Sequence, residues 1–300
     1  MEIRNILLVI DRLDDVPWLI EKAERLASSC RASLSMVQIV HEEVAEFAAT
    51  GVKQQKELKA FILSAAQAEL ERRITSTAKR VPGVTPFVLW SSSHREATLH
   101  ATRRVGANLV LKAVTMDPAA GRPIRTPDEW NLLRHSEVPV LLLRSDAWHQ
   151  SPVILAAVDP YDSTHDPTSL AILRYANFIT QALGGVLDVM VAYPEFEPWA
   201  GRLGITDDLK TLCHDVEEDI RTRVRTLARS AQVNFRRVIT CAGSAVSVIG
   251  RLVQQDEAQM VVLGTHGRDG LSGAVLGNTC ERVLQATHCD VLTVPTAKKS

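Results

Sequence analysis

Short apolar runs recur along the chain and alternate with longer amphipathic segments. Runs of this length predict buried strands, and segments with apolar positions three or four residues apart predict helices. Strands that alternate with helices predict an α/β fold on a parallel sheet that is covered on both faces. The predicted strands cover residues 5–10, 33–40, 86–90, 108–112, 138–144, 153–158, 186–192, 234–240, 260–263 and 290–294. The predicted helices cover residues 17–29, 53–79, 96–104, 167–182, 209–230, 246–255 and 280–287.

The pattern occurs twice. After the polar segment 145–151, the order of strands and helices begins again, and residues 107–144 align with 258–295 without a gap at a constant offset of 151. A repeat of this length predicts a duplicated domain rather than a solenoid. We therefore expect two domains, residues 1–147 and 148–300, each a doubly wound five-stranded parallel sheet.

Composition narrows the class of protein. The chain has 300 residues, 46% apolar and 23% charged, which is ordinary for a globular protein with two cores. A formal net charge of -1 offers no basic surface to nucleic acid, and no apolar run approaches the roughly 20 residues that a membrane helix needs. Five cysteines are scattered without a C-x-x-C motif, and the N-terminus enters a strand without a signal peptide. We expect a cytoplasmic protein with reduced thiols and with neither a nucleic-acid nor a membrane partner.

Metal binding is not expected. The pairs Cys213-His214 and His288-Cys289 fit no zinc-ligand spacing.

A glycine-rich stretch lies between the predicted strand 260–263 and the helix that follows it. Its glycines are Gly264, Gly267, Gly270, Gly273 and Gly277. Glycines let the main chain approach a ligand, and a helix start offers unpaired N–H groups and the positive end of the helix dipole. The arrangement predicts an anion site, most simply for phosphate. It is neither a Walker A loop nor a dinucleotide fingerprint, and Asn278 with Glu281 also makes an ordinary capping box.

The spacing Gly264-x2-Gly267-x9-Gly277 resembles the nucleotide loop of universal stress proteins. The resemblance extends over nearly the whole chain as a tandem pair. One departure is that Asn278 replaces the usual Ser or Thr after the last glycine, and a hydroxyl follows at Thr279. The resemblance implies a Rossmann-like universal stress protein fold. It also implies that the last strands of the two domains pair within one chain as an internal pseudo-dimer.

The first half lacks these glycines. At the offset of 151, Gly264, Gly267 and Gly277 become Ala113, Met116 and Thr126, and Asn278 becomes Pro127. Asp128 and Glu129 then place negative charge where a phosphate would lie. We expect no nucleotide in the first half, and we interpret Arg122 and Arg125 as solvated loop charges.

The resemblance implies a set of binding residues in the second half. The main chain of the three loop glycines would contact phosphates, with Asn278 and Thr279 capping them. Asp159, which ends the strand 153–158, would face the adenosine, and the main chain of Val191 and Ala192 would contact adenine. Asp159 has an alternative as the start of an Asx-turn with Tyr161 or Asp162.

Two further loop residues have both a functional and a simpler interpretation. His266 is either a catalyst or a polar residue beside phosphate, and the second is favoured because no partner group is evident. Arg268 either binds a phosphate or is an exposed arginine.

Two functions follow from these patterns. The first is a stress-response protein that binds an adenine nucleotide, ATP or AMP, in its second domain. The second is a regulatory scaffold that binds no nucleotide. An adenylyl-transfer enzyme is disfavoured because no His-x-Gly-His follows either first strand and no lysine lies between Gly264 and Gly277. No catalytic residue is assigned, and the sequence leaves open a homodimer or another protein partner.

Overall fold

The computed structural model describes residues 2–42, 52–77, 84–114, 127–161, 166–195, 206–255, 257–265 and 278–295. The chain divides into two compact units, Glu2–Ala147 and Trp148–Ser300. Each unit is an α/β domain built on five parallel strands.

The first unit is a parallel sheet in the order β3-β2-β1-β4-β5. Its central strand β1 is covered by neighbours on both sides, as the apolar run that forms it requires. In chain order, its elements are β1 (Asn5–Ile10), α1 (Val16–Cys30), β2 (Ser33–Val40), α2 (Val52–Thr77), β3 (Thr85–Trp90), α3 (His94–Val105), β4 (Leu109–Ala113), α4 (Pro127–His135) and β5 (Val140–Leu143).

The second unit repeats this topology in the parallel order β8-β7-β6-β9-β10. The predicted tandem of five-stranded parallel α/β sheets is confirmed. In chain order, its elements are β6 (Val153–Ala157), α5 (Asp166–Leu183), β7 (Val186–Tyr193), α6 (Thr206–Ala231), β8 (Arg237–Ala242), α7 (Ala245–Gln255), β9 (Met260–Gly264), α8 (Asn278–Ala286) and β10 (Asp290–Val294).

Burial follows the apolar runs. Every residue of the inner strand β4 is buried, whereas β3 and β8, each at one end of its unit's strand order, are half-exposed along most of their length. A parallel strand with neighbours on both sides and helices on both faces has no solvent-exposed face, so it must be apolar throughout. The continuous apolar pattern therefore marks the inner strands of each unit.

Strand β8 begins at Arg237, three residues after the predicted start at residue 234. The preceding residues turn the chain instead, with Gln232 at a left-handed φ of 58°. Arg236 donates its backbone N–H to the Leu187 carbonyl. Its guanidinium donates two hydrogen bonds, of 2.9 and 2.6 Å, to the carboxylate of the fully buried Asp188. Arg237 donates a further bond of 3.1 Å to the same carboxylate. The strand starts where this charge cluster fixes the register.

Candidate functional site

The strand order of the second unit reverses next to β6. From β6 the chain proceeds to β7 on one side, and it later returns to β9 on the other side. Ligands of open α/β sheets bind at the carboxyl ends of the strands beside such a reversal. Asp159 follows β6, and Gly264 ends β9, so two predicted site residues are placed at this edge of the sheet.

Asp159 is half-buried and held by its own loop. Its carboxylate accepts the backbone N–H of Tyr161 at 3.2 Å, which is the Asx-turn that the sequence offered as an alternative. Ser169 of α5 adds a hydroxyl contact to the Asp159 carbonyl at 3.2 Å. The Asp159 side chain is therefore held by its own loop and the Asp159 main chain by α5, and a carboxylate retains further acceptor capacity after one such bond.

Strand β7 extends past its neighbour β6. The last paired residue of β6 is Ala157, which lies opposite Met190, whereas Val191 and Ala192 continue to pair only with β8. We call the projecting segment 191–193 the β7 ledge. It lies beside the space beyond the end of β6, where a backbone contact to a ligand was predicted.

The glycine-rich segment is described only at its two ends. Gly264 is half-buried and pairs with Val294, and the buried Thr265 donates its backbone N–H to the Val294 carbonyl at 3.1 Å. The predicted site residues His266, Gly267, Arg268 and Gly277 lie outside the described residues.

Helix α8 begins at Asn278, close to the helix start that the capping pattern predicted. Thr279 is half-buried in its first turn, and the fully buried Cys280 anchors that turn in the core. Burial raises the pKa of the Cys280 thiol to about 12. The start of α8 is thus fixed by packing.

A polar contact between the Asp159 loop and helix α6 was not predicted from the sequence. The Tyr161 hydroxyl donates to Asp219 at 2.9 Å, and Arg223 donates to the same carboxylate at 2.8 Å while its guanidinium lies 4.7 Å from the Tyr161 ring. Partial burial and the Asp219 carboxylate raise the pKa of Tyr161, and Arg223 lowers the pKa of Asp219.

A second such contact joins the β7 ledge to the same helix. The buried Tyr193 donates its hydroxyl to Glu217 at 2.8 Å, and Arg221 bridges Glu217 at 2.9 Å to Thr240 of β8 at 3.1 Å. Burial and Glu217 raise the pKa of Tyr193. The spacing of four between Glu217 and Arg221 was a readable sign of a helical ion pair, but their partners on the strands had no local signature.

The matching edge of the first unit is occupied by an internal ion pair. Asp11 follows β1 as Asp159 follows β6, and the buried Lys112 of β4 donates its ammonium to the Asp11 carboxylate. His94, the first residue of α3, lies 3.3 Å from the other carboxylate oxygen. The aligned residue of the second unit is Leu263, so this charge distinguishes the two units. A lysine inside an apolar strand was the sequence signal for it.

Comparisons with known proteins agree with this architecture. Residues 152–295 match the model of the Universal stress protein family. The Universal stress protein E homolog of Haemophilus influenzae is 23% identical, and the alignment covers 100% of this chain and 99% of that protein. The second unit is thus a universal stress protein domain, and the chain is similar over its full length to the Universal stress protein E homolog. Universal stress protein E of Escherichia coli K12 is 26% identical over 69% of this chain and 66% of its own length. The tandem resemblance predicted from the glycine spacing and the repeat is confirmed.

Solved structures extend the comparison over both units. A functionally unknown protein from Pseudomonas aeruginosa PAO1 is 26% identical, with a TM-score of 0.71 over 98% of this chain and 93% of its own. A universal stress protein from Archaeoglobus fulgidus is 14% identical with a TM-score of 0.65 and covers 98% of each chain, which shows the fold alone. Among the helices that the structure describes, none has the length and apolar character to span a bilayer.

Proposed function

We propose that the second unit of this chain binds an adenine nucleotide, ATP or AMP, without turning it over. The observation that carries the proposal is the convergence of three predicted contacts at one edge of the sheet: Asp159 after β6, the β7 ledge, and Gly264 at the start of the glycine-rich segment. The family match spans the same part of the chain, residues 152–295. The setting would be a cytoplasmic stress response, in keeping with five free cysteines.

Each contact has a distinct role in this proposal. The β7 ledge would read adenine through main-chain groups of Val191 and Ala192, which have no β6 partner. The half-buried Asp159 would accept hydrogen bonds from hydroxyl groups of the ribose. The glycines would expose backbone N–H groups to the phosphates, next to the positive end of the α8 dipole.

Binding rather than turnover is favoured by the state of Asp159. Its carboxylate already accepts the Tyr161 N–H, and the loop around it is fastened to α5 through Ser169. A carboxylate whose position is fixed by hydrogen bonds suits recognition of a ligand hydroxyl group.

Isothermal titration calorimetry with ATP, AMP and ADP tests the proposal. We expect the parent protein to bind and the Gly267→Val variant to bind at least about tenfold more weakly, because a branched side chain blocks main-chain contacts to charged oxygens. Gly250→Val is the matched control, since a Cβ at this position in α7 would meet nothing within 4 Å. Equal affinity of the Gly267→Val variant and the parent would exclude this segment as the site.

A regulatory scaffold without nucleotide remains the second candidate. The observation that favours it is the Lys112–Asp11 ion pair, since one of the two matching edges is already filled by protein charge. The absence of binding heat with all three nucleotides would favour the scaffold function. Steady ADP release above that of the Gly267→Val variant would instead indicate an enzyme.

A further inference from the structure

Helix α6 has an outer face with an ordered line of charges. Ile220 and Val224 are fully buried and define the face that packs on the domain. Asp215, Thr222 and Arg229 are all exposed and follow one another at intervals of seven residues. Seven residues are nearly two helical turns, so these three side chains lie on one line along the side of the helix that faces away from the core.

Two further charges complete the line. Glu218 precedes Thr222 by four residues and Arg225 follows it by three, and both are exposed on the outer side. The face is therefore acidic before Thr222 and basic after it. A rotation of 180° about an axis through Thr222 exchanges Asp215 with Arg229 and brings Glu218 to within one residue of the position of Arg225.

Contacts within the unit leave this line available. Asp215, Arg225 and Arg229 form no ion pair within 4 Å of a partner in the described ranges. Glu218 accepts one bond from Arg221 at 2.6 Å and has a weaker electrostatic interaction with Arg225 of the same helix. The helix dipole favours acid in the first turn and base in the last. It accounts for Arg229, which is in the last turn, but not for Asp215, Glu218 or Arg225, which lie inside the helix.

We propose that a second copy of the chain packs on this face, with the two α6 helices antiparallel and a two-fold axis beside Thr222. Asp215 would then face Arg229 of the partner subunit, because each lies seven residues, or about 10 Å, from the axis. Glu218 would lie beside Arg225 of the partner subunit. A two-fold interface needs a patch that is complementary to itself, and this line of charges meets that condition.

A second copy fits better than a partner of one sign of charge. An acidic ligand would contact only the half of the face after Thr222, and a basic ligand only the half before it. In a two-fold dimer, the acidic half of each copy would meet the basic half of the other. One pair of helices buries less surface than the roughly 1,200 Å² of a standard interface, so the association is weak and depends on ionic strength.

Sedimentation velocity of the full chain tests this interface. We expect a monomer–dimer equilibrium at about 0.02 M salt whose dissociation constant rises more than about tenfold at about 0.5 M salt, since charges at the surface are then screened. Asp215→Arg and Arg229→Asp each place like charges opposite one another, so each variant alone should be monomeric. Arg251→Asp, at an exposed site on α7, is the matched control and should dimerise as the parent does.

Mixing the two variants separates this interface from any other. In an equimolar mixture, each variant supplies the charge that the other lacks, so the mixture should form a heterodimer that neither variant forms alone. A parent protein that stays monomeric at low salt would overturn the proposal. So would a dimer that persists in either charge-reversed variant, or a mixture that remains monomeric.

Discussion

The ion pair in the first unit can be tested by replacing Lys112 with methionine. The lysine side chain is 7% exposed and donates to the Asp11 carboxylate, whose side chain is 21% exposed. Methionine retains a long unbranched stem without the charge. The variant therefore leaves Asp11 largely buried with His94, at 3.3 Å, as its remaining neighbour from this cluster.

The expected cost follows from the burial of the pair. Removing one partner of a buried ion pair costs about 3–5 kcal/mol, because the other charge is left without compensation. Asp11 is one-fifth exposed and keeps His94, so we expect the lower end, about 3 kcal/mol. Asp11→Asn together with Lys112→Met removes both charges, and the double variant should recover about 2 kcal/mol of the summed single costs.

Urea unfolding followed by hydrogen exchange in peptides of residues 2–147 isolates the first unit, because the two units need not unfold together. Leu263→Met is the matched control at the aligned position of the second unit and should cost less than about 1.5 kcal/mol, as a change that conserves volume. A loss below about 1 kcal/mol for Lys112→Met, or strictly additive costs in the double variant, would refute the reasoning.

Three other predictions concern the second unit. Gly185→Ala should destabilise it by about 1–3 kcal/mol in urea unfolding, because the new Cβ would overlap the Pro152 carbonyl oxygen. The Cβ of Gly250→Ala meets open space, so this variant should stabilise α7 by about 0.5–1 kcal/mol, and equal effects of the two variants would contradict this prediction. Tyr193 has its pKa raised above the ordinary 10.0 by burial, so its contribution to stability is full below about pH 10 and is lost as pH rises further. Tyr193→Phe should flatten that alkaline decline in unfolding titrations, and an unchanged decline would assign it to other groups. Burial raises the pKa of Cys280 from 9.0 to about 12, so its contribution to stability is likewise lost as pH rises, beginning near pH 9. Iodoacetamide labelling of Cys280 at pH 8, read by mass spectrometry, should require urea, and rapid labelling of the folded protein would show that the thiol is not protected.

The fold could be predicted because its main determinant is local. Inner parallel strands are apolar along their whole length, so a run such as residues 5–10 identifies a strand without knowledge of its neighbours. The duplication was equally readable from the constant offset between residues 107–144 and 258–295. The start of β8 was wrong because Asp188 and Arg236 fix it, and these residues are 48 positions apart.

The candidate site was predictable only where topology determines it. A polar residue at the end of a strand must lie at the carboxyl edge, and Asp159 and Gly264 are there. Side-chain partners from distant segments were not predictable, as with Tyr161 and Asp219, which are 58 residues apart, or Asp11 and Lys112, which are 101 apart. Such pairs depend on how helices pack against strand ends, which no short pattern specifies. The nucleotide-binding roles of the predicted residues stay a proposal.

The β7 ledge has a counterpart in the first unit. The last residue of β1, Ile10, lies opposite Gln38, while Ile39 and Val40 of β2 continue to pair only with β3. At about 3.3 Å per residue, this step is roughly 7 Å deep. An uncharged planar molecule would therefore meet a similar shelf in both halves of the protein. What separates the halves is electrostatic: each edge carries an aspartate, Asp11 or Asp159, but the lysine that pairs with Asp11 is replaced by Leu263 at the aligned position of the second half.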